Sequence, residues 1–413
     1  MFLRYASESK EVDDNVEHKV QKEKSKKVIS SNDQSPSGKL DFIDWVQRLA
    51  VSYHFEHEIE DALAKIHSIY TSNNNVVRQD VVIIFTLWLY SFDVFERFKD
   101  IKGKLNNESL AEDDVEGMLA LYEATQLEVP EESILDEALH FTYTCLKSLI
   151  DNYQLSPCLN PRVNHRLSQP LHKRLHRLEA RHYMSFYQQQ DPSQNHIKLF
   201  DFAKLDFNML QHLHKREIGN ITKWWKETEL PKEVPYARDQ LVESYFWSLA
   251  MSYEPQLSTT RMITGKLVAI ICLLDDIYDT YDCMKAAFEA VIQACNEIDM
   301  VAAKEGTSNF VMPHVKQAFI NLAEAYLMEA KWCSEKYVPS YEEYKNNGVV
   351  SSFGPLQITS FLGPGNLATE EVFDWISTNP KIIEAVSLIG RLMDDVATHE
   401  VQLRQYAWAF IYS

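Results

Sequence analysis

Helical periodicity is the dominant feature of this sequence, and it begins near Leu40. Phe42, Trp45 and Leu49 follow one another at spacings of three and four residues, so on a helix they share one face. Only 11 glycines and 14 prolines interrupt the 413 residues, and long stretches are rich in Leu, Ala, Glu and Lys. Because Gly and Pro most disfavour helix interiors, this composition predicts an all-α protein. The length suits two domains or one large one.

Residues 1–38 differ from the rest of the chain because they are charged and polar, as in the run Lys22–Lys27. Such a composition predicts a disordered segment. The segment contains acidic residues and no apolar core, unlike a transit or signal peptide. None of the six cysteines forms a CxxC pair, which favours reduced thiols. We therefore expect a cytoplasmic protein.

The formal net charge of −19 disfavours nonspecific binding to nucleic acid. The segment Arg162–His182 is locally basic. A solvated helix face is a more ordinary explanation of this charge than a binding patch for an anionic partner. The longest apolar run, Val81–Phe92, is too short to cross a bilayer. We expect neither a nucleic-acid partner nor a membrane span.

Three carboxylates, Asp275, Asp276 and Asp279, end the apolar run Leu267–Leu274. Asp275 and Asp279 are four residues apart and therefore share a helix face. Carboxylates this close repel one another unless a cation neutralises them. An all-oxygen ligand set suits Mg²⁺ or Mn²⁺ better than Zn²⁺, and Mg²⁺ completes its shell with water and substrate phosphates. The alternative is a solvated acidic helix end, which the preceding apolar run disfavours.

A second acidic pattern follows the apolar run Ala385–Ile389 near the end of the chain. Asp394 and Thr398 are one helical turn apart, so both side-chain oxygens lie on the same face. Taken alone, this pattern is more typical of an ordinary amphipathic helix. Together with the first pattern, it predicts a metal cluster that binds a diphosphate.

Further short motifs occur along the chain in a fixed order: Leu178–Tyr183, Leu205–Asn208, Trp224–Lys226, Tyr236–Asp239, Glu243–Trp247 and Thr359–Gly363. With the DDxxD at Asp275–Asp279 and the DDxxT at Asp394–Thr398, they resemble the motifs of plant class I terpene synthases. The resemblance extends from about Leu40 to Glu400. It implies two α-helical domains, an N-terminal one over residues 39–204 and a catalytic one over residues 205–413 with the class I terpenoid synthase fold.

The same resemblance implies a reaction that depends on Mg²⁺, with Mn²⁺ as a substitute. Metal ions would draw the diphosphate off a prenyl diphosphate, and the carbocation would cyclise in a dry, aromatic-lined pocket. Asp275, Asp276 and Asp279 would hold metal ions, and Asp394 and Thr398 a further one. Because the chain shows no transit peptide, the expected substrate is farnesyl diphosphate, the cytosolic C15 substrate, and not the plastidial C10 one. We also expect a monomer.

Two further residues gain a role from the resemblance. Arg238 matches an arginine that binds the departing diphosphate, together with Asp275, Asp279 and Asp394. Trp247 matches a pocket aromatic whose face stabilises a passing cation. A surface arginine and a core tryptophan are the ordinary alternatives. The Gly354-Pro355 pair predicts a helix break that either ends a helix or aims carbonyls into the pocket.

The sequence also departs from the family pattern. Gln240 replaces the second arginine of the diphosphate-binding pair, and Gln402 replaces a metal-binding glutamate, which Glu400 cannot supply from about 120° around the helix. The family has a longer helical stretch where Asp282–Met284 runs straight across. The expected lid helices after Ser413 and an N-terminal Arg-Arg-Trp motif are missing. These departures predict a truncated form with weak or no cyclisation, because water quenches carbocations.

Three alternatives to a sesquiterpene synthase remain. The first is a monoterpene synthase acting on geranyl diphosphate. The second is a chain-elongating prenyltransferase, which a DDxxT in place of a second DDxxD disfavours. The third is a pseudoenzyme that binds diphosphate without efficient turnover, which Gln240 and Gln402 favour.

Overall fold

The computed structural model describes residues 2–31, 35–70, 112–126, 133–157, 159–170, 174–187, 194–228, 230–233, 238–277, 284–364 and 367–412. All regular structure within these stretches is helical, which confirms the all-α prediction. The chain divides into two compact units, Met1–Met209 and Leu210–Ser413.

The first unit holds seven described helices and the start of an eighth. They are α1 (Phe2–Ser30), α2 (Pro36–Arg48), α3 (Glu56–Tyr70), α4 (Glu112–Thr125), α5 (Ser133–Asp151), α6 (Leu159–Ser168), α7 (His176–Tyr187) and α8 (Gln194–Glu227). The division between the units falls inside α8, and so does the boundary predicted at residues 204–205. The longest apolar run of the sequence, Val81–Phe92, lies outside the described residues.

The prediction of disorder over residues 1–38 is wrong, because α1 spans most of that segment. Ile29 is fully buried, in one apolar cluster with Leu40 and Ile43. Lys26 pairs with Glu58 of α3 at 2.6 Å, and His18 contacts Asp206. Composition understates such a helix because partners distant in sequence stabilise it.

A buried ion cluster around Glu123 joins four elements of the first unit. The Glu123 carboxylate pairs with Arg48, Arg166 and Arg174, each at 2.8 Å. Burial favours the neutral form of Glu123, but the arginines outweigh it and hold its pKa well below the ordinary value. Arg166 and Arg174 therefore point inward, and the prediction of a solvated face for this basic segment is wrong for both.

The second unit contains the rest of α8 and nine further helices in the described residues. They are α9 (Leu230–Glu233), α10 (Leu241–Met251), α11 (Ser258–Ile277), α12 (Met284–Glu305), α13 (Ser308–Glu335), α14 (Tyr341–Ser351), α15 (Gly354–Leu362), α16 (Glu370–Ser377) and α17 (Lys381–Tyr412). Of the described cysteines of this unit, Cys295 and Cys333 carry free thiols.

Helix α11 passes through the core of the second unit. Leu267 and Ile270 are fully buried, and Leu273 is nearly so. The segment Pro255–Leu274 is long and apolar enough to cross a membrane, and 61% of its most apolar window is buried inside the structure. The core helix of a folded domain has the same composition.

A buried ion pair fixes α8 and α11 to one another. Arg261, which is fully buried, donates to both carboxylate oxygens of Glu217, at 2.7 and 2.8 Å. Tyr245 of α10 and Ser258 donate to the same carboxylate. Burial favours a neutral Glu217, but these hydrogen bonds outweigh it and lower its pKa. The network sets the position of the helix that carries the first acidic motif.

Candidate metal centre

The first acidic motif begins in the last turn of α11. Asp275 and Asp276 belong to the described helix, whereas their side chains and the whole of Asp279 lie outside the described residues. The helix does enter the core before it reaches these acids, as the apolar run predicts. The metal-binding role of all three remains a prediction.

The second acidic motif lies in α17. The Asp394 side chain is 58% exposed, and its Oδ2 accepts a hydrogen bond from Arg391 Nη2 at 3.2 Å. Thr398 Oγ1 donates to the Asp394 backbone carbonyl at 2.8 Å, which places the two residues one turn apart on the same side of the helix. The motif therefore presents a carboxylate that is accessible to a cation.

Sequence reasoning missed the two residues that organise this motif, Arg391 and Tyr344. Arg391 Nε donates to Asp395 Oδ1 at 2.9 Å, and the hydroxyl of Tyr344 in α14 donates to Asp395 Oδ2 at 2.5 Å. Burial disfavours the charged form of Arg391, but Asp395 outweighs it and raises its pKa. Burial and Asp395 also raise the pKa of Tyr344 to about 12. The sequence did contain a signal for the role of Arg391, which stands three residues before Asp394 and four before Asp395, the spacings at which ion pairs form on a helix.

The predicted helix break at Gly354-Pro355 is confirmed. Helix α14 ends at Ser351, Phe353 adopts a left-handed conformation with φ of 69°, and α15 begins at Gly354. A Cβ on Gly354 would lie 2.2 Å from Ser387 Oγ of α17. The break therefore lets α17 pack closely against the start of α15.

Arg238, expected to bind the diphosphate, lies just before α10, and Trp247, expected to face the carbocation, lies within α10. Arg238 is exposed in the segment that precedes this helix, and Gln240 occupies its N-cap position without a side-chain capping bond. Trp247 is 61% exposed, although its neighbours Tyr245 and Ser248 are buried. Trp247 is therefore not a core residue of this unit, and its role remains a prediction.

The donor set fits a hard divalent cation. Asp394 and Thr398 supply only oxygen atoms, and the carboxylate is exposed enough to exchange its arginine partner for a metal ion. Mg²⁺ prefers such ligands and keeps positions for water and phosphate oxygens. Arg391 adds a permanent positive charge beside the motif.

Two family profiles cover most of this chain. The one described as "Terpene synthase family, metal binding domain" matches residues 226–283 and 281–411, and "Terpene synthase, N-terminal domain" matches residues 2–167. The chain belongs to the terpene synthase family. The resemblance inferred from the motifs is thus confirmed, and with it the assignment to an enzyme class of terpene cyclases and lyases.

Relatives and solved structures agree with this assignment. "Terpene synthase 1" of Citrus sinensis is 41% identical, over 98% of this chain and 79% of its own length. The (+)-delta-cadinene synthase isozyme XC1 of Gossypium arboreum is 38% identical, over 98% and 77%. Isoprene synthase from grey poplar, in complex with three Mg²⁺ ions and dimethylallyl-S-thiolodiphosphate, has a TM-score of 0.80 at 29% identity, covering 95% of this chain and 80% of its own.

The comparisons also bear on the piece expected to be missing near residue 283. The two matches to the metal-binding domain meet and overlap at residues 281–283. The alignment with the Citrus terpene synthase runs over 438 positions, more than the 413 residues of this chain, so the relative has residues without a counterpart here. The meeting of the two matches agrees with an internal gap directly after the first acidic motif, and the alignment length shows only that the relative has additional residues.

Proposed function

We propose that this terpene synthase ionises farnesyl diphosphate in a Mg²⁺-dependent reaction and converts the carbocation to a sesquiterpene. The observation that carries the proposal is the exposed Asp394 carboxylate, held beside Thr398 and Arg391 within the matched metal-binding domain. A relative that covers 98% of the chain is named for a sesquiterpene, delta-cadinene, and this favours the C15 substrate.

Each residue of the candidate site has a distinct task in this proposal. Bound Mg²⁺ supplies the positive charge that makes diphosphate a leaving group. Asp394 and Thr398, with Asp275 and Asp279, hold the ions through oxygen atoms. Arg238 binds the departing diphosphate as a permanent cation. Trp247 presents its ring face to the carbocation.

The ion pair between Arg391 and Asp395 keeps the second acidic motif oriented. Asp395 is held by Tyr344 and by Arg391, so it is not exposed to the same degree as Asp394. With a metal ion held by Asp394, Arg391 would keep its bond to Asp395 and could donate to a phosphate oxygen.

The departures from the family pattern set the expected level of activity. Gln240 removes one cation from the diphosphate site, and Gln402, whose side chain lies outside the described residues, stands where a carboxylate is expected. The internal gap follows the first motif directly. We propose that ionisation survives these changes and that cyclisation is inefficient, with acyclic alcohols as major products.

Product analysis tests the proposal. Purified protein is incubated with farnesyl or geranyl diphosphate and Mg²⁺, and released pyrophosphate and volatile products are measured together. Pyrophosphate with C15 products, preferred over C10 products, is the expected result. A preference for geranyl diphosphate would replace the substrate by the C10 alternative, and binding of diphosphate without turnover would establish the pseudoenzyme. We further propose a cytosolic monomer, which gel filtration and a fluorescent fusion test.

A further inference from the structure

A second group of metal-ligating side chains lies in the first unit, and the reaction does not use it. His18, His54 and Asp206 offer one ligand atom each, and these atoms lie within 4.8 Å of one another. His18 and Asp206 are 8% and 3% exposed, and the side chain of His54 is 12% exposed. Three polar groups thus meet in a largely dry interior.

The three residues come from separate parts of the unit. His18 belongs to α1, His54 ends the 3-10 turn Ser52–His54, and Asp206 belongs to α8. No two of them share a helix, so the chain fold, and not a local repeat, brings them together. Any ion that bound all three would link these elements.

Both imidazoles lie at hydrogen-bonding distance from one carboxylate oxygen, slightly closer than the ligands of a tetrahedral metal ion lie to one another. His54 Nε2 lies 2.8 Å from Asp206 Oδ1, and His18 Nε2 lies 3.2 Å from the same oxygen. Ligands around a zinc ion with bonds of roughly 2.0–2.2 Å are separated by about 3.3 Å or slightly more. A shift of about half an ångström at His54 would therefore admit the ion.

One oxygen of the Asp206 carboxylate lacks a hydrogen-bond donor. Its Oδ2 is buried and has no hydrogen-bond partner, and Arg177 Nη1 approaches it only to 3.9 Å. Oδ1 in turn accepts a hydrogen bond from the Tyr53 hydroxyl at 2.7 Å and is hydrogen-bonded to both imidazoles. Metal-binding carboxylates have such outer partners, which orient them. A buried carboxylate is costly unless it is paired, and Arg177 is 3.9 Å away, so a cation held beside this carboxylate would add compensation.

We propose that His18, His54 and Asp206 form a binding site for a divalent transition-metal ion, zinc being the best match. Two imidazoles and one carboxylate favour zinc, copper or nickel, whereas the oxygen-only motifs of the second unit favour magnesium. Water would complete the tetrahedron. The bound ion would fasten α1 and the Ser52–His54 turn to α8.

Metal content distinguishes this site from a plain hydrogen-bonded cluster. The 413-residue chain is loaded with one to two equivalents of Zn²⁺ in excess Mg²⁺, so that Mg²⁺ competes for the oxygen-only motifs, and is passed over a desalting column before metal analysis. About one zinc per chain is expected, with at least a tenfold loss of affinity in His54→Gln and in Asp206→Asn. His57→Gln is the matched control, because His57 lies beside this turn and its side chain is 81% exposed.

A second readout needs no variant and so does not depend on variant folding. Co²⁺ added to the wild-type chain should give the strong visible absorption of a four-coordinate ion, removable by Zn²⁺ but not by Mg²⁺. Retention of no zinc by the wild-type chain would overturn the proposal. So would equal zinc retention by His54→Gln and His57→Gln, or a cobalt spectrum of a six-coordinate ion.

Discussion

At the scale of single residues, the charged side chains of this protein divide into buried networks and exposed site groups. Glu217 and Arg261 are both almost fully buried, and Arg261 donates hydrogen bonds to both carboxylate oxygens of Glu217. The Asp394 carboxylate, by contrast, is more than half exposed. The first arrangement stabilises the fold, and the second leaves a carboxylate accessible to a cation. The two kinds of residue should respond differently to substitution.

Substitution of Glu217 by Gln should destabilise the protein by about 3–5 kcal/mol, because Arg261 would be left buried with no ionic partner. Urea denaturation measures the free energy of unfolding. The control is Glu297→Gln, which breaks the half-buried pair with Lys266 and should cost about 1 kcal/mol or less. Equal losses in the two variants would contradict the account.

The stability of the protein should fall in acid partly because of Glu123. Its pKa is lower in the folded than in the unfolded chain, where it is about 4.3. As pH falls below that value, the unfolded state takes up a proton that the folded state resists, so the contribution present at neutral pH is lost.

Melting temperatures between about pH 7 and pH 3 test this dependence. Glu123→Gln should have a lower melting temperature at neutral pH and a shallower decline in acid than the wild type. Glu137→Gln, at an exposed position of α5, should follow the wild-type curve. A Glu123→Gln curve that runs parallel to the wild type would count against the sign of the shift.

At the scale of elements, much of the fold was predictable from the sequence, and two features were not. Periodicity and the Gly354-Pro355 pair predict the helices and the break between α14 and α15. Helix α1 escaped prediction because its partners, such as Glu58 and the buried Asp206, are distant in sequence. The role of Tyr344 escaped for the same reason, since only folding brings α14 against α17. That of Arg391 could have been predicted from its spacing to Asp394 and Asp395.

Gly354 leaves little room for a side chain, because an added Cβ would lie 2.2 Å from Ser387 Oγ and 3.2 Å from Ser387 Cβ, so Ser387 would have to move. We expect Gly354→Ala to destabilise the protein by roughly 1–3 kcal/mol through overpacking. Gly219→Ala is the control, since nothing lies within 4 Å of its added Cβ in α8, and it should stabilise the chain by up to about 1 kcal/mol. Thermal unfolding of both variants is the measurement, and a neutral Gly354→Ala would show that α17 can move away from the break.

At the scale of the whole molecule, the sequence predicts the family and the class of reaction more securely than the level of activity. The motifs identify a terpene synthase, and the matched profiles confirm it. The consequence of Gln240, Gln402 and the internal gap could not be predicted, because it depends on how the remaining side chains close the cavity around a carbocation. Residues 278–283, where the gap lies, are outside the described residues.

The proposed function depends on the two acidic motifs holding the metal ions that drive ionisation. Its most direct test is pyrophosphate release from farnesyl diphosphate across a Mg²⁺ titration, for wild type, Asp394→Asn and the control Asp374→Asn, an exposed aspartate of α16. The account predicts a Mg²⁺-dependent rate that falls about 100-fold in Asp394→Asn, as for a lost electrostatic group, and is unchanged in Asp374→Asn. Release that does not depend on Mg²⁺, or that survives in Asp394→Asn, would contradict it.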